Sequence, residues 1–323
     1  MTGMIDAYAS QPHYVDHLAP VWLALPNRGL FTVARPQLVA HAARRGVTAQ
    51  VGGRPRRGPV LVAGAPDFAK VPMALLEHGA GQTYEGRHPS YPGGRGRDLV
   101  GLFLCPSVRV VEANRAHYPR ASYAVVGCPK LDRWFLRARA RHDPPVVALS
   151  FHWRNGQGES RSALPHYRSA LAALAAAPFR VIGHAHPRAL ARIAPLYHRA
   201  GIEVVADFED VLERADLFAA DNTSALYEFA ATGRPVVLLD APWYRRGALP
   251  LRFGDAWDVG IHATGPGDLV ATIGDALLDP PEVRERRRAI MREVYAVRDG
   301  TSALRAAEAI AAWLAAGRLE AAA

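Results

Sequence analysis

Asp221-Asn222-Thr223-Ser224 places two hydroxyls and an amide between a short apolar run, Asp216 to Ala220, and a helical pattern. Hydroxyls and open backbone N–H groups at a helix start form an anion site, which the helix dipole favours. The same residue types also make an ordinary N-cap, so the position of Glu228 matters. Glu228 lies one turn on, on the helix face of Ser224. A carboxylate there can accept both hydroxyls of a ribose whose phosphates rest on Asn222, Thr223 and Ser224. Gly183-His184-Ala185-His186-Pro187 follows another apolar run, and His186 at a helix start suits a hydrogen bond to phosphate. Two histidines at i, i+2 could bind a metal, but no neighbouring carboxylate or cysteine set completes such a site, so none is expected. Ser150-Phe151-His152-Trp153-Arg154 ends a third run, and Arg154 offers a fixed positive charge to a pyrophosphate.

The N-terminal half has one comparable segment, Glu77-His78-Gly79-Ala80-Gly81-Gln82-Thr83. A histidine beside a carboxylate, with glycines that let a ligand come close, suits a general base. This makes His78 and Glu77 the catalytic candidates and Gly79 and Gln82 acceptor-side candidates. The Gly-, Pro- and Arg-rich stretch from Arg87 to Arg97 reads as a surface loop, and its Arg95 and Arg97 suit an anionic acceptor. The sequence contains no G-x-S-x-G elbow, no G-x-x-x-x-G-K-[ST] loop and no G-x-G-x-x-G fingerprint after the first strand. Their absence argues against a serine hydrolase, a P-loop enzyme and an ordinary dehydrogenase. Without an Asp-x-Asp triplet, a metal-clamped nucleotide sugar is not expected either.

Elements that could hold these segments alternate clearly in the C-terminal half. Apolar runs at Pro145–Phe151, Phe179–Gly183, Glu203–Ala206, Asp216–Ala220 and Pro235–Leu239 alternate with helical patterns at 163–177, 188–200, 208–214 and 224–232. This order predicts right-handed βαβ crossovers and a parallel sheet covered by helices. In open α/β sheets, ligands bind beyond the carboxyl ends of the strands, where all three polar segments fall. Upstream, Val60–Ala63, Met73–Leu76, Leu99–Leu104 and Tyr123–Val126 read as strands of a second, less regular α/β domain.

At 323 residues the chain is long enough for two domains, and half of its residues are hydrophobic. Its net charge of +9 favours anionic partners, although no nucleic-acid-binding motif accompanies it. The two cysteines, Cys105 and Cys128, read as reduced structural thiols. The N-terminal stretch lacks the apolar core of a signal peptide, and no apolar stretch is long enough to cross a bilayer. The expectation is a cytoplasmic protein, with peripheral membrane contact still admitted.

Several of these segments, in order, resemble the CDP-glycerol glycerophosphotransferases, teichoic-acid polymerase-like enzymes of the GT-B fold. They are Glu77-His78-Gly79 with Gln82-Thr83, Val126-Gly127-Cys128-Pro129-Lys130-Leu131-Asp132, His186-Pro187, and Ala220 to Phe229 continued by Arg234-Pro235-Val236-Val237. Phe151-His152-Trp153-Arg154 and Asp299-Gly300-Thr301-Ser302 with Arg305 resemble further segments of that family. Glu77 stands where the family usually carries tryptophan. The resemblance implies His78 as base toward an acceptor hydroxyl, His186, Thr223 and Ser224 around the donor pyrophosphate, and Glu228 on the ribose.

The expected architecture is therefore α/β and GT-B-like, with two Rossmann-like domains facing a cleft and a C-terminal helix crossing back. Residues 1–142 would form the acceptor-side domain and 143–300 the nucleotide-donor domain, with 301–323 the closing helix and tail. The expected activity is metal-independent transfer of a glycerophosphate or glycosyl group from a nucleotide-activated donor, with no separate cofactor. The acceptor hydroxyl would belong to a polyol phosphate, a glycan or a nucleic acid. A glycosyltransferase using a UDP- or GDP-sugar, a nucleotide-sugar 2-epimerase and a non-catalytic nucleotide-binding module remain alternatives.

Overall fold

The structure, a computed structural model, describes residues 3–55, 57–64, 71–78, 97, 99–135, 137, 141–153, 162–244 and 255–322. The chain divides into two compact units, Met1–Arg137 with Arg292–Ala323, and Ala138–Met291.

The first unit is built on a parallel sheet of seven strands: β1 (Ile5–Ala9), β2 (Arg28–Val33), β3 (Gln50–Val51), β4 (Val60–Val62), β5 (Met73–Leu76), β6 (Val100–Cys105) and β7 (Ser122–Val125). Their order across the sheet is β3-β2-β1-β4-β5-β6-β7. Period-two alternation sends side chains to two cores. Leu61, Ala74, Leu76, Leu102 and Leu104 pack on one face with the helix Pro12–Ala24. Val60, Val62, Met73, Leu75 and Phe103 pack on the other with Val110, Val111 and Tyr118. Both faces are covered, which is why these strands read as nearly continuous apolar runs.

The C-terminal helix, Ser302–Ala322, belongs to this unit and contributes Ala306, Ala307 and Ile310 to its core. Asp132 fixes where that helix begins, because its two carboxylate oxygens accept from Ser302 N at 3.1 Å and Ala303 N at 2.8 Å. The close approach also demands a glycine at Gly127, whose φ is +80°. A Cβ there would lie 2.7 Å from both Ser302 Oγ and the Val297 carbonyl oxygen. Two of the family-like segments, Val126–Asp132 and Asp299–Ser302, thus have a structural role: one caps and seats the other.

The second unit carries a six-stranded parallel sheet: β8 (Val146–Phe151), β9 (Arg180–Ala185), β10 (Glu203–Val204), β11 (Leu217–Ala220), β12 (Val236–Leu239) and β13 (Ile261–Ala263). Its order is β10-β9-β8-β11-β12-β13. Counted within the unit this is 3-2-1-4-5-6, the doubly wound order whose switch point lies between the first and fourth strands, here β8 and β11. The first unit repeats the pattern, with its switch between β1 and β4. Each unit is therefore Rossmann-like.

Both cysteines are buried and are not joined in a disulfide. Burial pushes the Cys105 thiol far up, and the nearby Glu77 charge adds to the shift. Among the described residues, no helix is long and apolar enough to cross a membrane.

Candidate functional site

In the second unit the polar segments meet at the switch point. Pairing of Ser150 with both His184 and Ala220 aligns the carboxyl ends of β9, β8 and β11. Just beyond β11, the side chain of Asp221 is fully buried. Its Oδ1 accepts from His152 N at 2.7 Å, and its Oδ2 accepts from Ser162 Oγ at 3.0 Å and Ala163 N at 2.9 Å. Its own carbonyl accepts from Thr223 N at 2.6 Å. One residue thus ties the end of β8, the chain leading into helix Leu164–Tyr167, and the Asn222-Thr223-Ser224 turn. Asp221 is a brace, a function the motif alone did not reveal.

The turn it holds has a distinct surface. Thr223, Ser224 and Ala225 are half-buried, whereas Asp221, Asn222 and every residue of helix Ala225–Ala231 after the first are buried. Thr223 Oγ1 accepts from Ala225 N at 3.3 Å, and Ser224 makes no capping bond through its side chain. The cap is thus made by Thr223, not Ser224. Glu228, one turn beyond Ser224, is 3% exposed.

His186 stands half-buried at the N-cap of helix Pro187–Arg199, where its Nδ1 accepts from Arg188 N at 3.2 Å. In the neutral ring the proton is then on Nε2, which makes that nitrogen a donor. Its neighbours are the His152 ring at 5.2 Å and the Trp153 ring at 6.0 Å between centroids, and Arg188 lies over Trp153 at 5.0 Å. His184 is buried and paired through Nδ1 with Ser150 Oγ at 2.8 Å. Of the two neighbouring histidines, therefore, only His186 stands at the sheet edge. Arg154 lies outside the described residues.

In the first unit, His78 follows β5 and is half-buried. Glu77 and Arg97 do not stand open to a ligand. Arg97 Nη1 donates to Glu77 Oε1 at 2.7 Å, Asn114 Nδ2 donates to the same oxygen at 3.0 Å, and each member of the pair is 5% exposed. This corrects two expectations. Arg97 is a buried brace, not a surface cation, and Glu77 spends its carboxylate holding that brace. Glu77, the residue before His78, is also tied through its backbone N–H to the Leu104 carbonyl at 3.0 Å. Gly79, Gln82 and Arg95 lie outside the described residues.

Sequence reasoning passed over the groups around His78. His13, Tyr14 and His17 of helix Pro12–Ala24 have ring centroids 5.7, 4.8 and 6.2 Å from that of His78. Their spacing, two histidines four apart in a helix opening after a strand, was a readable signal. Among the described residues, no group of three or more His, Cys, Asp or Glu is arranged to hold a metal ion.

No family model matches the sequence, and no curated protein does. Solved structures do match in fold over nearly the whole chain. The wall teichoic acid polymerase TagF with CDPG aligns at a TM-score of 0.64 and 11% identity, covering 97% of this chain and 89% of that one. The UDP-GlcNAc 2-epimerase from Neisseria meningitidis bound to UDP-GlcNAc aligns at 0.61 and 13% identity, covering 95% and 99%. The S. aureus MnaA–UDP co-structure aligns at 0.62 and 13% identity, covering 93% of both chains. The chain is thus a GT-B-like α/β protein with two Rossmann-like parallel-sheet domains. Its architecture is similar to that of both TagF and the epimerases.

Proposed function

We propose that this chain is a metal-independent transferase that uses a nucleotide-activated donor. Thr223, Ser224 and His186 grip the donor phosphates, and His78 takes the proton of an acceptor hydroxyl. The oxygen so released attacks the activated group, and the bond to the nucleotide breaks with its electron pair leaving on phosphate. Attack at phosphorus, as a CDP-glycerol-like donor requires, releases a nucleoside monophosphate. Attack at an anomeric carbon releases a diphosphate. Asn222 contributes to the turn, Glu228 is assigned to the ribose, and Arg154 to the pyrophosphate. The acceptor is an anionic hydroxyl compound, a class favoured by the net charge of +9.

One observation carries this reading. Asp221 gathers half-buried hydroxyls and the His152–His186 pair at the switch point of a 3-2-1-4-5-6 sheet, where such sheets bind ligands. Hydroxyls and a histidine donor there would stabilise charge on the departing phosphate.

A thermal shift with CDP, UDP and GDP tests the donor half of the proposal. A ligand at one hundred times its dissociation constant stabilises the folded state by about 2.7 kcal/mol, or roughly 5–10 °C for a unit of this size. Thr223→Ala with Ser224→Ala should abolish most of that shift. If none of the three nucleotides raises the melting temperature, the donor assignment is wrong. Similar structural likeness to UDP-GlcNAc 2-epimerases supports a second reading, epimerisation of a nucleotide sugar. That activity would convert donor in the absence of any acceptor, whereas a transferase would not.

A further inference from the structure

His13, Tyr14, His17 and His78 come from two elements that are not neighbours in the sheet. Helix Pro12–Ala24 follows β1 and His78 follows β5, with β4 between them. At the carboxyl end of β4 stands Gly64. A Cβ on Gly64 would lie 2.7 Å from the Tyr14 ring, a separation that side chains do not tolerate. The missing methyl lets Tyr14 lie over the end of β4 and meet the His78 ring edge-on at 4.8 Å. His13 lies against Tyr14 at 4.3 Å, and His17 is buried with its ring centroid 6.2 Å from that of His78. His13 and His78 are both half-buried.

The nearest carboxylates in sequence are committed elsewhere. Asp16 accepts from His41 Nε2 at 2.7 Å and Arg45 Nε at 2.8 Å, and Glu77 is held by Arg97 and Asn114. The His13 and His78 centroids stand 5.7 Å apart, with the ring planes inclined at 42°. That spacing leaves no room for an oxygen on the line between the centroids, but one set to the side of the pair away from Tyr14 can lie within one hydrogen-bond length of a nitrogen on each ring.

We infer that His13 is a second ligand-binding residue of the His78 site, sharing one hydroxyl oxygen of a polyol or sugar with it, and that Tyr14 positions the His78 ring. This rests on the reading of His78 as the acceptor-side base. The hydroxyl hydrogen points to the ring nitrogen that accepts it, while the other imidazole donates N–H to the same oxygen. His13 thereby aims a lone pair of that oxygen away from both rings.

The test needs no knowledge of the donor. Full-length protein with 15N-labelled histidine is titrated with glycerol as a polyol probe, and ring resonances are assigned by single substitution. The His78 and His13 signals should shift together with one midpoint, while exposed His198 stays still. His13→Gln should weaken the glycerol response at His78 roughly threefold to tenfold, the loss of one neutral hydrogen bond. Tyr14→Phe should keep that response and Tyr14→Leu should lose it, because only the ring is needed to hold His78. A His78 response that ignores His13→Gln overturns the inference while leaving the base assignment standing. No response at His78 overturns both.

Discussion

Asp221→Asn is the sharpest probe of the donor-side architecture, because it removes one acceptor and almost no volume. The wild-type carboxylate serves three donors: His152 N, Ser162 Oγ and Ala163 N. An amide has one oxygen. With that oxygen in the Oδ2 position, Ser162 and Ala163 remain satisfied, but the new NH2 group faces the amide of His152. With it in the Oδ1 position, His152 is satisfied and Ser162 can turn to accept, but the amide of Ala163 is orphaned. Either way one buried backbone N–H loses a charge-assisted partner, which costs about 2–4 kcal/mol. For a unit of this size that corresponds to roughly 5–15 °C in melting temperature.

Urea unfolding of the full chain, followed by the fluorescence of its tryptophans, measures the loss directly. Ser162→Ala is the internal control, since it removes one neutral donor and should cost about 1 kcal/mol. Nucleotide-induced stabilisation should also shrink in Asp221→Asn, because the end of β8 and the Thr223 turn hang on the same carboxylate. If the variant unfolds within about 1 kcal/mol of wild type, the three hydrogen bonds do not brace the sheet edge and the argument fails.

The Glu77–Arg97 pair makes a second prediction: Arg97→Met leaves a buried carboxylate short of its cation and should cost about 3–5 kcal/mol, whereas Glu77→Leu with Arg97→Met should recover most of it. Parallel destabilisation of single and double variants in urea would show that the pair is not a unit. His78→Asn should leave nucleotide-induced thermal stabilisation near wild type while abolishing transfer, and retained transfer would remove the base assignment. For Asp16, burial alone would raise the carboxyl, but the His41 hydrogen bond and the charges of Lys130, His41 and Arg45 outweigh it and hold the group below the usual carboxylate value. Its stabilising contribution is therefore full above about pH 4, the unfolded value, and is lost as pH falls through the lower folded one. Urea midpoints measured from pH 6 to pH 2 should fall less steeply in Asp16→Asn, and an unchanged slope would show that another group governs the acid limb.

What the sequence made legible follows from where each element sits. The strands β8, β9, β11 and β12 are flanked on both sides in their sheet and carry residues such as Val147, Leu149, Leu217 and Val237 into a shared core. A run buried on both faces advertises itself by composition, and so do β4, β5 and β6 in the first unit. β1 is equally central, yet Ile5-Asp6-Ala7-Tyr8-Ala9 did not read as a strand. Its alternate positions are polar because Asp6 Oδ1 accepts from Leu30 N at 2.8 Å beside β2. The edge strands β3, with two residues, and β13, with three, were too short to carry any period.

Missing β1 had a consequence for the site. A histidine gains chemical meaning from being at a strand end beside a helix start, and without β1 the helix from Pro12 had no visible strand before it. His13 and His17 therefore looked like polar residues of an N-terminal stretch. In the second unit β11 was visible, so Thr223 and Ser224 were placed just beyond its carboxyl end, but Asp221 was not recognised as their support. Its partners His152, Ser162 and Ala163 lie 58 to 69 residues away, a distance that local spacing does not encode. Groups that touch a ligand sit at predictable places on a doubly wound sheet, whereas the groups that hold them are chosen by long-range contact. A spacing argument therefore addresses the first kind and mistakes members of the second, such as Glu77 and Arg97, for the first.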